Sequence, residues 1–227
     1  MPYRLNHGLW RVCSRSHDPT IPPEGCKQGG GRFDDPLRKV QVLYAGEDVE
    51  TCLYETIRLQ DFEPSNEREG INQVAGMAHD VDAQVAETRM HHNPAVPEYV
   101  FGMSAFELYP SGSANLFDLD DVRDRQRLFG VRSIREIVEC MGLPELDRSA
   151  ATSPNRCLTQ TIAHLLMTCS LHDVEYSGIR YLGRRAGYCF ALFADRCSLR
   201  ATGIVEPITP GHAALVKVAH DFRLSIP

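Results

Sequence analysis

Gly29-Gly30-Gly31-Arg32 is the segment of this chain best suited to chemistry. Glycines let a backbone approach a ligand closely, and an arginine at the end of the turn offers a planar fork to phosphate or carboxylate. The same residues also read as a solvated loop. Arg11 follows Trp10 in an apolar stretch. A guanidinium there must reach solvent, pair with a carboxylate or meet an anionic ligand. Tyr44 alternates with Val42 and shares its face. It reads as a cross-strand core ring, or as a ring that stacks on a base or pyridine. Glu55 lies at the edge of an apolar helix face. It is either exposed or turned into a cleft, where a carboxylate stabilises developing positive charge.

Other chemistries are poorly served. His91 and His92 are adjacent and project apart, and Cys169-Ser170-Leu171-His172 is a lone Cys-x-x-His. Structural zinc wants four well-spaced ligands, so no metal is expected. No Gly-x-Ser-x-Gly elbow supports a serine hydrolase. No Gly-x-Gly-x-x-Gly follows a strand and opens a helix, which disfavours a Rossmann domain.

The net charge is −6 and no Lys/Arg run is present, so direct nucleic-acid binding is not expected. A basic pocket for a small anion remains compatible with that balance. The eight cysteines include no Cys-x-x-Cys pair, and several sit in apolar stretches. They read as buried free thiols in a reducing compartment. With no signal peptide and no apolar run long enough for a membrane span, a cytoplasmic chain is expected.

Several elements must position these residues. Strands are expected near 8–13, 40–45, 99–108, 115–119, 177–181, 188–193 and 199–205. Asp48 reads as the N-cap of a helix running to about Ile57. Further helices are expected near 121–129, 133–141, 158–171 and 211–221. Residues 61–98 are polar and punctuated by Gly and Pro, and read as a long excursion within a single domain spanning 1–227. Short strands scattered among helices, without a βαβ rhythm, define an α+β class.

Taken in order, the motifs resemble the RES-domain family. Trp10-Arg11 comes first. Gly30-Gly31-Arg32-Phe33-Asp34-Asp35-Pro36 is similar to the family's Gly-Gly-Arg-(Trp/Phe)-Asn-x-Pro. Val42-Leu43-Tyr44-Ala45-Gly46-Glu47-Asp48 precedes a helix bearing Glu55. Leu116-Phe117-Asp118-Leu119, Leu158-Thr159-Gln160-Thr161-Ile162-Ala163 and Gly178-Ile179-Arg180-Tyr181 follow, then Ala191-Leu192-Phe193. The resemblance implies a core related to ADP-ribosyltransferases and NAD⁺ as the substrate rather than a bound cofactor. It implies cleavage of the nicotinamide–ribose bond, with water or inorganic phosphate as acceptor, and toxicity by NAD⁺ depletion. It also implies a cognate Xre-type helix-turn-helix antitoxin; a homodimer is permitted.

In that frame Arg11 and Arg32 would hold the diphosphate, with Gly31 allowing its close approach. Tyr44 would pack on the nicotinamide or its ribose, and Glu55 would face the anomeric carbon. The family serine commonly follows the Gly-Ile-x-Tyr strand. Here Tyr181-Leu182-Gly183-Arg184 places a glycine there. In some members a serine instead precedes the later helix glutamine. That stretch here is Cys157-Leu158-Thr159-Gln160, so Cys157, Thr159 and Gln160 join the substrate-binding candidates, with Ser153 nearby. Two alternatives share this donor site: a mono-ADP-ribosyltransferase that modifies a protein, and an inactive module that holds NAD or a partner.

Overall fold

A computed structural model describes residues 2–22, 31–57, 94–153, 155–171, 173–183 and 187–227. The first part of the chain forms strands β1 (Tyr3–Leu5), β2 (Leu9–Ser14) and β3 (Val42–Gly46), then helix α1 (Val49–Thr56). Strands β4 (Met103–Pro110) and β5 (Ala114–Asp118) follow. Helices α2 (Val122–Phe129), α3 (Arg132–Cys140), α4 (Arg148–Ala151) and α5 (Arg156–Thr168) come next. Strands β6 (Gly178–Leu182), β7 (Tyr188–Phe193) and β8 (Leu199–Pro207) precede the last helix, α6 (Ala213–Phe222). The fold is α+β, as the sequence pattern indicates.

The differences from the expected elements have local causes. The strand expected from 99 begins at Met103, because Glu98–Gly102 forms a 3₁₀ turn. Pro97 opens that turn, its φ of −58° already near helical values, and its carbonyl accepts from Val100 N at 3.0 Å. Helix α5 starts two residues early, since the Asn155 side chain caps Leu158 N at 3.2 Å. Strand β1 and helix α4 are too short to leave a periodic signature. Most of the excursion at 61–98, His91-His92, His172 and Gly29-Gly30 lie outside the described residues.

The strands form one sheet in the order β1-β5-β6-β7-β3-β2-β4-β8. Its pairs are antiparallel except β5–β6, which is parallel. Strand β3 pairs with β7 along its whole length, Val42 opposite Phe193 and Gly46 opposite Cys189. On its other side β3 meets β2 at one pair, Trp10 opposite Gly46.

Alternation along the strands separates the cores. Val42, Cys189, Ala191, Ile179 and Tyr181 face helices α2 to α5 and pack with Leu158, Ile162 and Leu166. Leu43, Ala45, Phe190 and Leu192 face the other way and pack with Leu5, Leu9 and Leu116. A third core joins Leu53 and Tyr54 of α1 to Leu215 and Val218 of α6.

Helix α1 is firmly held. Asp48 Oδ1 accepts from Thr51 N at 2.6 Å, the expected N-cap. Across the third core, Tyr54 Oη donates to Asp221, the Tyr54 and Phe222 rings meet edge to face at 5.5 Å, and Lys217 pairs with Glu50 at 2.7 Å.

Candidate active site

The loop that carries Arg32 is pinned from several sides. Phe33 is fully buried in the helix-side core, its ring 4.9 Å from that of Tyr181. Asp34 accepts from the backbone N–H of its own turn at Gly31 and from Tyr44 Oη at 2.9 Å. Tyr44 Oη in turn accepts from Phe33 N at 2.9 Å. A side chain at position 31 would collide with Asp34 and Tyr44, so only glycine fits this close approach. Asp35 collects three backbone N–H groups, from Leu37 at 3.0 Å, Lys39 at 2.7 Å and Val40 at 3.1 Å. Burial pushes the Asp35 carboxyl upward, but those donors and His164 outweigh it and hold its pKa below the ordinary value.

Tyr181 is the centre around which the candidate residues gather. The Arg32 guanidinium lies over its ring, 5.6 Å from the centroid, a cation–π distance. Burial raises the Tyr181 pKa well above that of free tyrosine, and Cys189, Glu55 and Tyr44 push it the same way while Arg32 opposes them. The phenol is therefore a neutral donor with Glu55, Tyr44 and Arg32 all within electrostatic reach. Cys189 lies opposite Tyr181 in the β6–β7 ladder, and burial raises its thiol pKa strongly, so it is not a thiolate nucleophile. Cys52, on α1, bonds the Trp10 carbonyl at 3.0 Å and is pushed up to about 12 by burial.

Helix α1 reaches this centre across the β6–β7 hairpin. A Cβ at Gly183 would stand 3.4 Å from Glu55 Oε1 and 3.0 Å from Cys189 Sγ. A Cβ at Gly187, whose φ is +114°, would overlap the Thr51 hydroxyl. Thr51 and Glu55 are one helical turn apart, so the two glycines receive two successive turns of α1. Glycine at 183 and 187 leaves the space that these two side chains of α1 occupy.

The structure thus brings together Gly31, Arg32, Tyr44, Glu55 and Gln160, whose Nε2 donates to the Gly31 carbonyl at 3.1 Å. Cys157 is exposed on the first turn of α5, on the same stripe as Gln160. Thr159 is fully buried, and its hydroxyl returns to the Asn155 carbonyl at 3.1 Å. Ser153 Oγ accepts from Asn155 N at 3.3 Å, ahead of the same helix.

Arg11 belongs to a different set of contacts. Trp10 and Val12 pack toward α1, and Leu9 packs on the opposite face, so alternation puts Arg11 on the Leu9 face. Its Nη1 donates to the carbonyls of Pro19 at 2.6 Å and Ile21 at 2.9 Å.

Sequence reasoning assigned no role to Asp34, Asp35, His164, Tyr181 or Cys189. The Gln160–His164 spacing of four was available as a signal, because it puts both polar side chains on one helix face. Tyr181 was marked only by its place in a strand motif. Nothing local distinguishes Cys189 from the other apolar-flanked cysteines. Among the described residues seven cysteines are free thiols; Cys52, Cys189 and Cys197 are buried as expected, whereas Cys140, Cys157 and Cys169 are exposed. Among the described residues, no group of three or more His, Cys, Asp or Glu is arranged to hold a metal, and no helix is long and apolar enough to cross a membrane.

A glycine-rich arginine loop, a strand tyrosine and a helix glutamate held around one buried tyrosine define a single candidate site on an α+β sheet. The family model for the RES domain matches residues 8–210, and the chain belongs to that family. Among solved structures, it is similar to a chain of the M. tuberculosis MbcT-MbcA toxin-antitoxin complex at 15% identity, covering 92% of this chain and 86% of that one with a TM-score of 0.49. No curated protein matches the chain.

Proposed function

We propose that this chain is a toxin-type enzyme that cleaves the nicotinamide–ribose bond of NAD⁺. The observation that carries the reading is the shared position of Arg32 and Glu55 at Tyr181. Arg32 presents a fixed cation for the diphosphate. Glu55 presents a carboxylate to the ribose carbon as the C–N bond breaks. The bonding pair leaves with nicotinamide, which departs neutral, and positive charge grows on the ribosyl ring as in glycoside cleavage. Nearby negative charge lowers that barrier. A water oxygen then bonds the anomeric carbon and releases a proton; inorganic phosphate would bond through one of its oxygens instead. A pyridinium leaving group needs no strong acid, which suits a site built around a neutral phenol.

RES-family membership supports a cognate antitoxin, in this reading one of the Xre helix-turn-helix type that occludes the site. Incubation with NAD⁺, with and without phosphate, tests the reading. Free nicotinamide supports it, and dependence on phosphate identifies the acceptor. Nicotinamide accompanied by stoichiometric ADP-ribosyl-protein would favour a transferase, and no release at all would leave a binding module.

A further inference from the structure

The Gly31–Asp35 segment carries Arg32 yet lies outside any helix or strand. Helix α5 reaches it at two points. Gln160 Nε2 donates to the Gly31 carbonyl at 3.1 Å, and His164 Nδ1 lies 3.2 Å from Asp35 Oδ1. Gln160 and His164 are four residues apart and therefore stacked on one helix face. The loop residues they hold are also four apart, and Arg32 stands between them.

We infer that Gln160 and His164 are positioning residues, a two-point clasp from α5 that fixes the backbone beneath Arg32. The inference rests on the NAD⁺ reading, since the anion that Arg32 awaits is the substrate's diphosphate. Gln160 acts through the loop: its amide is directed at the Gly31 carbonyl. His164 supplies the second tie. The Asp35 carboxylate already gathers its own turn through Leu37, Lys39 and Val40, and the imidazole joins that closed turn to the helix. Helix α5 is itself fixed by Leu158, Ile162 and Leu166 in the core. The clasp thus transfers the rigidity of a packed helix to a segment that no helix or strand holds. An arginine held in place before binding loses less freedom when the anion arrives.

The test combines nicotinamide-release kinetics with amide hydrogen exchange in the absence of NAD⁺, for Gln160→Ala, His164→Ala and His164→Gln. Each alanine variant should raise KM about tenfold with kcat within about threefold, the size of one net hydrogen bond. Exchange should quicken at residues 31–35 while the core strands stay protected. His164→Gln keeps a donor for Asp35 and should keep the wild-type KM. In an Arg32→Lys background, Gln160→Ala should add less than about twofold, because both changes act through one group. An undiminished effect there would make Gln160 a substrate contact and overturn the clasp. Unchanged KM and unchanged exchange in both alanine variants would overturn it too. If the wild-type chain released no nicotinamide, the functional reading would fall, and exchange at 31–35 would still decide the clasp: unaltered protection would sink it.

Discussion

The phenol of Tyr44 is bonded to the carboxylate of Asp34 at 2.9 Å, tying strand β3 to the loop that bears Arg32. The same oxygen accepts from Phe33 N at 2.9 Å, so one hydroxyl serves two loop residues. Tyr44 is a structural anchor of the loop as well as a neighbour of Tyr181. Its ring and its hydroxyl can be separated by experiment. Tyr44→Phe keeps the ring and leaves a half-buried N–H and a carboxylate short of a partner. The expected cost is about 1–3 kcal/mol. That lowers the thermal midpoint by about 2–4 °C per kcal/mol for a chain of this size. An unchanged midpoint in thermal unfolding would show that the hydroxyl does not hold the loop.

Glu55 is placed to act on charge. Glu55→Gln keeps the shape and removes the carboxylate's charge. Nicotinamide release should fall by at least about 100-fold, the scale seen when a transition-state electrostatic partner is lost. The far-ultraviolet dichroism and thermal midpoint should stay near wild type, because α1 is capped by Asp48 and clamped by α6 independently of position 55. A variant that kept full activity would remove Glu55 from the chemistry.

Much of this arrangement was legible in the sequence because it rests on short-range rules. The alternation in Leu9–Ser14 and Val42–Gly46, the Asp48 cap and the apolar stripe of α5 each specify an element within one or two turns. The family motifs added Arg32, Tyr44 and Glu55, which the fold gathers. What stayed hidden depends on register between distant segments. Arg11 and Trp10 are neighbours in sequence, but only the pairing of Trp10 with Gly46 shows which of them shares the face of Tyr44. The pairing of Asp35 with His164 spans 129 residues and has no local signature. Cys189 becomes a site neighbour solely because it is opposite Tyr181.

Asp35 gives the fold a defined acid sensitivity. Its pKa in the folded chain lies below the unfolded carboxylate value of about 3.9. A group with a depressed folded value contributes stability that is fully present above the unfolded value and fades as pH falls through the folded one. The thermal midpoint of wild type should therefore exceed that of Asp35→Asn most clearly near neutral pH, and the gap should close as pH drops below about 4. A gap that persisted unchanged at pH 3 would mean that the charged carboxylate is not what holds the turn.

Gly187 should tolerate nothing larger. At φ +114° an L-residue is strained, and its Cβ would meet Thr51. Gly187→Ala is expected to cost about 2–4 kcal/mol, from backbone strain and overpacking together. Adding Thr51→Ala removes the collision and leaves the strain, so the double variant should recover part of the loss. Denaturant unfolding of wild type and the two variants reads this directly. A double variant no more stable than Gly187→Ala would show that contact with Thr51 does not set the spacing between α1 and the hairpin.

Gly183 is where the hydroxyl question is decided. A serine there would start 3.4 Å from Glu55 Oε1 and press on Cys189 Sγ at 3.0 Å and on the Gly187 carbonyl at 3.2 Å. The thiol must give way before the new oxygen can settle beside the carboxylate. Gly183→Ser alone should therefore destabilise the hairpin by about 1–3 kcal/mol and slow nicotinamide release. Cys189→Ala alone opens a small void and should cost stability without adding a polar group. Combined, the two changes are complementary in volume and bring a donor within hydrogen-bonding reach of Glu55. The double variant should regain stability beyond the sum of the single effects and release nicotinamide at least as fast as wild type. Additive stabilities would mean that Gly183 and Cys189 do not share the space beside Glu55, and the steric explanation for a glycine at this position would fail.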